Sequence, residues 1–244
     1  MLFNTIDFVI FFFIVVGIVT ILKYRRFQHI FIIFASVFFL YYTNNYLVVI
    51  LIFTILFHYY IGRQIYKADS KDGKKIFLIA GLAGSLGLLG FFKYADFAIA
   101  QFNIFGNMVD LGSEIPLLNL ALPVGISFYT FQSISYIIDI YRGNLTPSKT
   151  LREYAFFVAF FPTLVAGPIL RARQFLPQLR EKIEQSNTTG RLRQFVIQHS
   201  NLKFGLTLMA LGFLKKMFFA DNIGLLVDKI FSNPIGMESF SIML

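Results

Sequence analysis

The sequence predicts an all-α polytopic membrane protein, and its composition and hydropathy carry that prediction. Of the 244 residues, 57% are hydrophobic and only 14% are charged, and the mean hydropathy is +0.68. A soluble domain typically has about 25% charged residues. A chain this short cannot hide so much apolar surface in its own core, because small domains have a high ratio of surface to volume. The bilayer must therefore solvate much of a single membrane domain covering residues 1–244.

The composition also excludes several kinds of site. With no cysteine, the chain has no disulfide, thiol nucleophile or cysteine-ligated metal. His29, His58 and His199 are far apart in the sequence, so we expect no local metal motif. The net charge of +9 lies in loops between apolar blocks, which favours contact with membrane lipids and argues against nucleic acid.

The first three apolar blocks run from Phe8 to Leu22, from Ile30 to Tyr42 and from Tyr46 to Ile61. The second and third are separated only by residues 43–45, which predicts a tight helical hairpin. At a rise of about 1.5 Å per residue, each block falls slightly short of a bilayer core of about 30 Å. Tyrosines at the ends of the hairpin would act as interfacial belts.

Two basic loops predict the orientation. Residues 23–26 and 63–75 are rich in Lys and Arg, and two apolar blocks separate them. The positive-inside rule therefore places both loops in the cytoplasm and the N-terminus outside, in a multi-pass protein of the inner membrane.

The fourth block, Ile76 to Phe92, is rich in small residues. Their spacing predicts close helix packing, whereas a phosphate loop is excluded because no Gly-Lys-Ser/Thr follows. The stretch from Lys93 to Glu114 is predicted to be extracytoplasmic. Leu117 to Tyr141 would then return to the cytoplasm.

The segment from Tyr154 to Gly167 is apolar but only 14 residues long, contains Pro162, and has basic residues on both sides. A full crossing would put one basic cluster outside. A re-entrant or broken helix satisfies the charge pattern and the length together, provided that protein buries it or a cavity surrounds it.

Residues 168–203 are predicted to form a cytoplasmic amphipathic helix–loop region, with a turn at residues 186–190. Phe204 to Phe219 is apolar again and is predicted to break near Lys215 and Lys216.

Few polar residues interrupt the apolar blocks. Asp139 is a functional candidate because it is ionisable within an apolar run, although a local pair with Arg142 at i,i+3 is the simpler interpretation. Gln132, Ser133 and Ser135 are expected to hydrogen-bond between helices. His58 permits a proton relay, but interfacial anchoring is the favoured interpretation. The residues alone show no catalytic constellation.

Two long motifs resemble the membrane-bound O-acyltransferases, in the branch of bacterial alginate and peptidoglycan O-acetyltransferases. They are LPVGISFYTFQSISYIIDIYRG at residues 122–143 and FFPTLVAGPI at 160–169, the latter followed by Arg171 and FLPQL at 175–179. Weaker similarity covers FKYADF at 92–97 and GFLKK at 212–216 with Ala220 and Asp221.

The resemblance implies a ring of helices with re-entrant segments around a thinned centre. An acyl group would pass through it from a cytoplasmic donor, by default acetyl-CoA, to an extracytoplasmic polysaccharide or a periplasmic acetyltransferase partner. We expect no tightly bound cofactor. Five residues are candidates for lining the path: Gln132, Asp139, Arg142, Pro168 and Arg171.

The family's catalytic histidine lies in a region beyond those matched here, and His29, His58 and His199 fit neither of its histidine motifs. We therefore assign no catalytic residue and expect the chain to be the N-terminal half of the fold, ending before that histidine. One alternative is a non-catalytic subunit that completes a tunnel with a separately encoded C-terminal half. A transporter fragment is the other.

Overall fold

The computed structural model describes residues 5–22, 24–109, 114–164, 167–188 and 199–232. All regular structure in these ranges is helical, which confirms the predicted fold class. The chain divides into a larger unit, residues 21–194, and a smaller unit made of residues 1–20 and 195–244. Three helices are long and apolar enough to cross a membrane, over residues 26–43, 45–67 and 71–108.

The larger unit begins with the predicted hairpin. Helix α2, Arg25–Asn44, and helix α3, Val48–Lys67, are joined by the short 3₁₀ turn Asn45–Leu47. Asn45 adopts a positive φ of 52°, which asparagine tolerates better than most side chains. Each helix has 20 residues, or about 30 Å, so the predicted shortfall against the bilayer is wrong. The helices continue into polar flanking residues that the hydropathy pattern left out.

Helix α4, Lys71–Met108, is longer than predicted. Its 38 residues span about 57 Å, well beyond a bilayer core of about 30 Å. Ser70 caps its start by accepting the N–H of Gly73 at 3.0 Å. No proline lies between Lys93 and Met108, so the helix continues past the apolar block and ends at Met108.

From residue 114 the chain runs back along α4 without regular secondary structure. Asp96 accepts the backbone N–H groups of Leu118 and Leu120, at 2.7 and 3.3 Å. Asn103 makes two bonds with the backbone of Ile115, at 2.8 and 2.9 Å. The return predicted from Leu117 is therefore helical only from Ile126, where helix α5, Ile126–Tyr141, begins.

Small residues hold α3, α4 and α5 close together. A Cβ atom on Gly81 would lie 2.7 Å from Ile137 of α5, and one on Gly84 would lie 2.8 Å from Phe57 of α3. The predicted close packing is confirmed at these positions. Gly87 and Gly90 face open space instead.

Three further helices complete the larger unit: α6, Leu151–Ala159; α7, Phe161–Leu164; and α8, Ala172–Thr188. Helix α8 runs through the first three residues of the turn predicted at 186–190, so that part of the prediction is wrong. The remaining two residues lie outside the described part of the chain.

The smaller unit contains helix α1, Ile6–Ile21, and a long C-terminal helix in three parts. These parts are α9, His199–Leu214, a π turn, Lys215–Ala220, and α10, Asp221–Ser232. The break predicted near Lys215 is therefore a change of helical geometry rather than an end of the helix.

Candidate functional site at a broken helix

The apolar segment predicted to be re-entrant is a broken helix. Helix α6 ends at Ala159, Phe160 takes an extended conformation with ψ of 105°, and α7 adds one further turn. Pro162 cannot donate a backbone hydrogen bond, which explains why a continuous helix fails here. Nine α-helical residues in α6 rise only about 14 Å, far less than a bilayer crossing.

Protein buries this segment almost completely. Tyr154, Phe157 and Val158 have no exposed surface, and Phe161 and Leu164 are 4% and 1% exposed. The aromatic ring of Tyr154 lies 4.4 Å from that of Tyr136 of α5, centroid to centroid. The burial meets the condition under which irregular backbone is tolerated at membrane depth.

The break disrupts the bond that would join the carbonyl of Phe157 to the N–H of Phe161, and other helices supply both missing partners. Gln132 of α5 donates its Nε2–H to the Phe157 carbonyl at 2.9 Å. The N–H of Phe161 donates to the Ser36 hydroxyl of α2 at 3.2 Å. Ser36 in turn donates to the carbonyl of Ile32 at 2.7 Å. Two buried backbone groups are thus satisfied by side chains from elsewhere in the fold.

A glycine turn packs directly against the end of the broken helix. Gly125, which precedes α5, has a φ of +82°, and a Cβ atom there would lie 2.4 Å from the carbonyl oxygen of Leu164. Both the left-handed backbone and the close approach require glycine. The start of α5 and the end of α7 are therefore held together by backbone contact.

A salt bridge fixes the loop that leads into α6. Arg180 of α8 donates its Nε–H to Glu153 at 2.6 Å and reaches the hydroxyl of Thr146 at 2.9 Å. The other carboxylate oxygen of Glu153 accepts the N–H of Lys149 at 2.8 Å. Thr150 caps α6 by accepting the N–H of Glu153 at 3.2 Å. Charge-assisted bonds of this kind hold both the loop and the helix start in one geometry.

Several polar atoms on α5 and α6 are buried among these elements. The hydroxyl of Tyr129 and one carboxylate oxygen of Asp139 have no hydrogen-bond partner within the described residues. The hydroxyls of Ser133 and Tyr154 lie close to each other but miss hydrogen-bond geometry. Buried polar groups without partners are costly, and Ser133 and Tyr154 are the place where α5 and α6 bring two of them together.

The five path-lining candidates occupy different environments. Gln132 seals the helix break, and Asp139 is buried on the same helix with 7% exposure. Arg142, Pro168 and Arg171 are exposed. The described contacts do not bring the five together, and their role along a path stays a prediction.

The simpler interpretation of Asp139 is wrong. Its carboxylate forms no ion pair with Arg142 within the described residues, because Asp139 points into the fold whereas Arg142 ends α5 in an exposed position. The prediction for Gln132 as a link between helices is confirmed. Ser135 instead bonds within its own helix, to the carbonyl of Gln132 at 2.7 Å.

Both described histidine side chains have structural partners. His58 is 1% exposed, and its ring nitrogens contact the carbonyl of Thr54 at 2.9 Å and the Ser85 hydroxyl of α4 at 2.6 Å. The favoured role of interfacial anchor is therefore wrong, because His58 links two helices from a buried position. His29 is also buried, and its ring lies 4.9 Å from that of Phe156. The side chain of His199 lies outside the described part.

Sequence analysis missed Ser36, Glu153 and Arg180. Glu153 was detectable, since Thr150 and Glu153 have the spacing of a capping box. Ser36 carries no local signal, because its partner Phe161 is 125 residues away.

The chain is similar to proteins named as O-acetyltransferases, O-acetylases and a D-alanyltransferase. It is 31% identical over 230 residues to the peptidoglycan O-acetyltransferase of Helicobacter pylori, covering 84% of this chain and 41% of that protein. It is 38% identical over 184 residues to the probable alginate O-acetylase AlgI of Pseudomonas putida, covering 73% and 35%. Similarity to the teichoic acid D-alanyltransferase of Bacillus subtilis is lower, 29% over 136 residues, covering 52% and 32%. No family model and no solved structure matches the chain.

These similarities and the helical membrane fold define the family to which the chain belongs, not the activity of the chain by itself. The chain belongs to the membrane-bound O-acyltransferase family, in the branch that contains the alginate and peptidoglycan O-acetyltransferases. It spans between about a third and two fifths of the length of these relatives, 35% and 41% in the two O-acetylating proteins.

Proposed function

We propose that this chain forms part of an O-acetyltransferase that modifies an extracytoplasmic polysaccharide such as alginate or peptidoglycan. The observation that carries the proposal is its similarity, over most of its length, to proteins named for those two reactions. The broken helix supports it, because irregular backbone at membrane depth occurs where protein buries it or where it lines a cavity.

The positions of the basic loops predict the membrane face from which the donor and the acceptor would each approach. With the loops at residues 23–26 and 63–75 in the cytoplasm, the N-terminus lies outside and the enzyme belongs to the inner membrane. Segment α6–α7 then enters and leaves by the cytoplasmic face. Acetyl-CoA would be the donor on that side, and the acceptor would be a polysaccharide or a periplasmic acetyltransferase partner.

The general base would come from outside this chain. Acyl transfer to a hydroxyl needs a base within hydrogen-bond reach of the acceptor. His29 and His58 are buried and committed to contacts within the helix bundle, so neither is placed to serve. The base would then lie in the part of the relatives' length that this chain does not span.

The test is acetyl transfer to alginate or peptidoglycan by membranes that contain this chain alone, a chain supplying the remaining length of its relatives, or both. We expect activity only with both. Activity of this chain alone would contradict the assignment of the base. No activity from both, once each is shown to be folded, would overturn the proposed function.

A further inference from the structure

A small basic cavity lies apart from the broken helix, where α3 ends beside the loop that leads into α6. Its volume is about 250 Å³, whereas one water molecule occupies about 30 Å³ in the liquid. It is lined by Arg63, Tyr66, Lys67, Pro147, Ser148 and Lys149. We propose that this cavity binds a phosphate ester.

The three cations at the cavity have no carboxylate partner. Among the described residues, ion pairs join Arg180 to Glu153 and Lys216 to Asp221 only. Arg63 donates to the neutral hydroxyl of Tyr59 at 2.9 Å, which orients its guanidinium without neutralising it. Like charges repel when they are held close together, so an anion between them would stabilise the arrangement.

Ser148 supplies a second, independent observation. It is only 2% exposed, and its hydroxyl lies beside that of Tyr136 but makes no hydrogen bond of good geometry within the described residues. A buried hydroxyl without a partner costs free energy that a ligand oxygen would recover. One hydroxyl donor and three cations match the several acceptor oxygens of a phosphate group.

The loop side of the cavity is held in place before any ligand binds. The N–H of Ser148 donates to the Tyr136 hydroxyl at 3.0 Å, and Arg180 donates to the carbonyl of Pro147 at 3.2 Å. Glu153, four residues after Lys149, is occupied by Arg180 and by the N–H of Lys149. The pre-formed loop lowers the entropic cost of binding.

Two sources of phosphate fit the position. The cavity lies at Lys67, where a candidate membrane span ends, so an acidic phospholipid headgroup can reach it. A soluble phosphate ester, such as the nucleotide part of an acyl donor, has the same chemistry. Of the two sources, only this soluble one rests on the proposed function.

The test uses the full chain in phosphatidylcholine nanodiscs at low salt. One arm measures binding of adenosine 3′,5′-bisphosphate by equilibrium dialysis. The other adds about one fifth phosphatidylglycerol, and native mass spectrometry counts the acidic lipids retained. Each arm compares Lys67→Gln/Lys149→Gln with Lys71→Gln/Lys75→Gln, which removes the same charge from exposed positions on α4.

We expect the cavity variant to bind one of the two probes at least tenfold more weakly, and the control to stay within about twofold. Both substitutions in the cavity variant remove a charge that would bond to the anion, and the expected tenfold loss corresponds to about 1.4 kcal/mol. Ser148→Ala should weaken the same probe by a smaller factor. The probe affected identifies the source of the phosphate.

Equal losses in both variants would show a general surface effect and overturn the proposal. So would failure of the unmodified chain to bind either probe. Both results are independent of acetyl transfer, so the proposed function is tested separately.

Discussion

In the part of the chain that the structure describes, two helices are interrupted, and their interruptions are stabilised in different ways. At the break between α6 and α7, the partners of the freed backbone groups are Gln132 and Ser36, 25 and 125 residues away in the sequence. At the π turn, Lys215–Ala220, the partners are local: Asn222 donates to the carbonyl of Phe218 at 2.6 Å, and Lys216 pairs with Asp221.

The difference follows from burial. The π turn is exposed, so neighbouring side chains suffice to satisfy it. The break at Phe160 is enclosed by protein, where an unpaired backbone group is costly. Its partners must therefore come from helices packed around it, which makes the break a property of the whole larger unit.

The largest effect is expected at the glycine contact with the broken helix. Gly125→Ala should lower the free energy of unfolding by about 3 kcal/mol, because it combines a left-handed backbone with a clash against the Leu164 carbonyl. Gly143→Ala is the matched control, since its φ of +76° is similar but its surroundings are open. It should cost about 1 kcal/mol. Unfolding in sodium dodecyl sulfate, followed by circular dichroism, measures both, and equal costs would contradict the close contact.

Gln132→Leu should cost about 2 kcal/mol in the same assay. The substitution retains the bulk of the side chain but leaves the buried carbonyl of Phe157 without a partner. Ser135→Ala, one turn further along α5, removes only a bond within that helix and should change stability by less than about 0.5 kcal/mol. If both variants change the free energy of unfolding equally, the bond from Gln132 to the Phe157 carbonyl does not stabilise the break.

Ser36→Ala should cost about 1 kcal/mol, since it removes the longer and weaker bond to the N–H of Phe161. Thr43→Ala on the same helix is its control. Thr43 also donates to the carbonyl four residues earlier, at 3.0 Å, so the two substitutions remove the same kind of local bond. If Ser36→Ala lowers the free energy of unfolding no more than Thr43→Ala does, the bond from Phe161 to Ser36 does not stabilise the break.

The smallest effect is expected at the π turn. Lys216→Ala should change the free energy of unfolding by no more than about 0.5 kcal/mol, because exposed ion pairs contribute little. A cost as large as that of Gln132→Leu would show that the two interruptions do not differ as the structure indicates.

The difference between local and distant partners also explains which features the sequence could predict. The break could be predicted from Pro162, from the shortness of its apolar segment and from the charges on both sides. The start of α6 could have been predicted from the spacing of Thr150 and Glu153, which is that of a capping box. Hydropathy missed the full lengths of α3 and α4, since helices continue into polar flanks. Pairings over long sequence separations, such as Ser36 with Phe161, leave no local pattern and required the fold.

The most direct test of the account asks whether α6–α7 enters and leaves by one membrane face. The chain has no cysteine, so a single cysteine at exposed Asn144 or Arg173 marks one end of the segment or the other. Gln101→Cys on α4 is the control for the outer face. In intact cells, a membrane-impermeant maleimide should label position 101 and neither 144 nor 173, and inverted vesicles should show the reverse. Labelling of 144 and 173 from opposite sides would mean that the segment crosses the membrane, and would contradict re-entry.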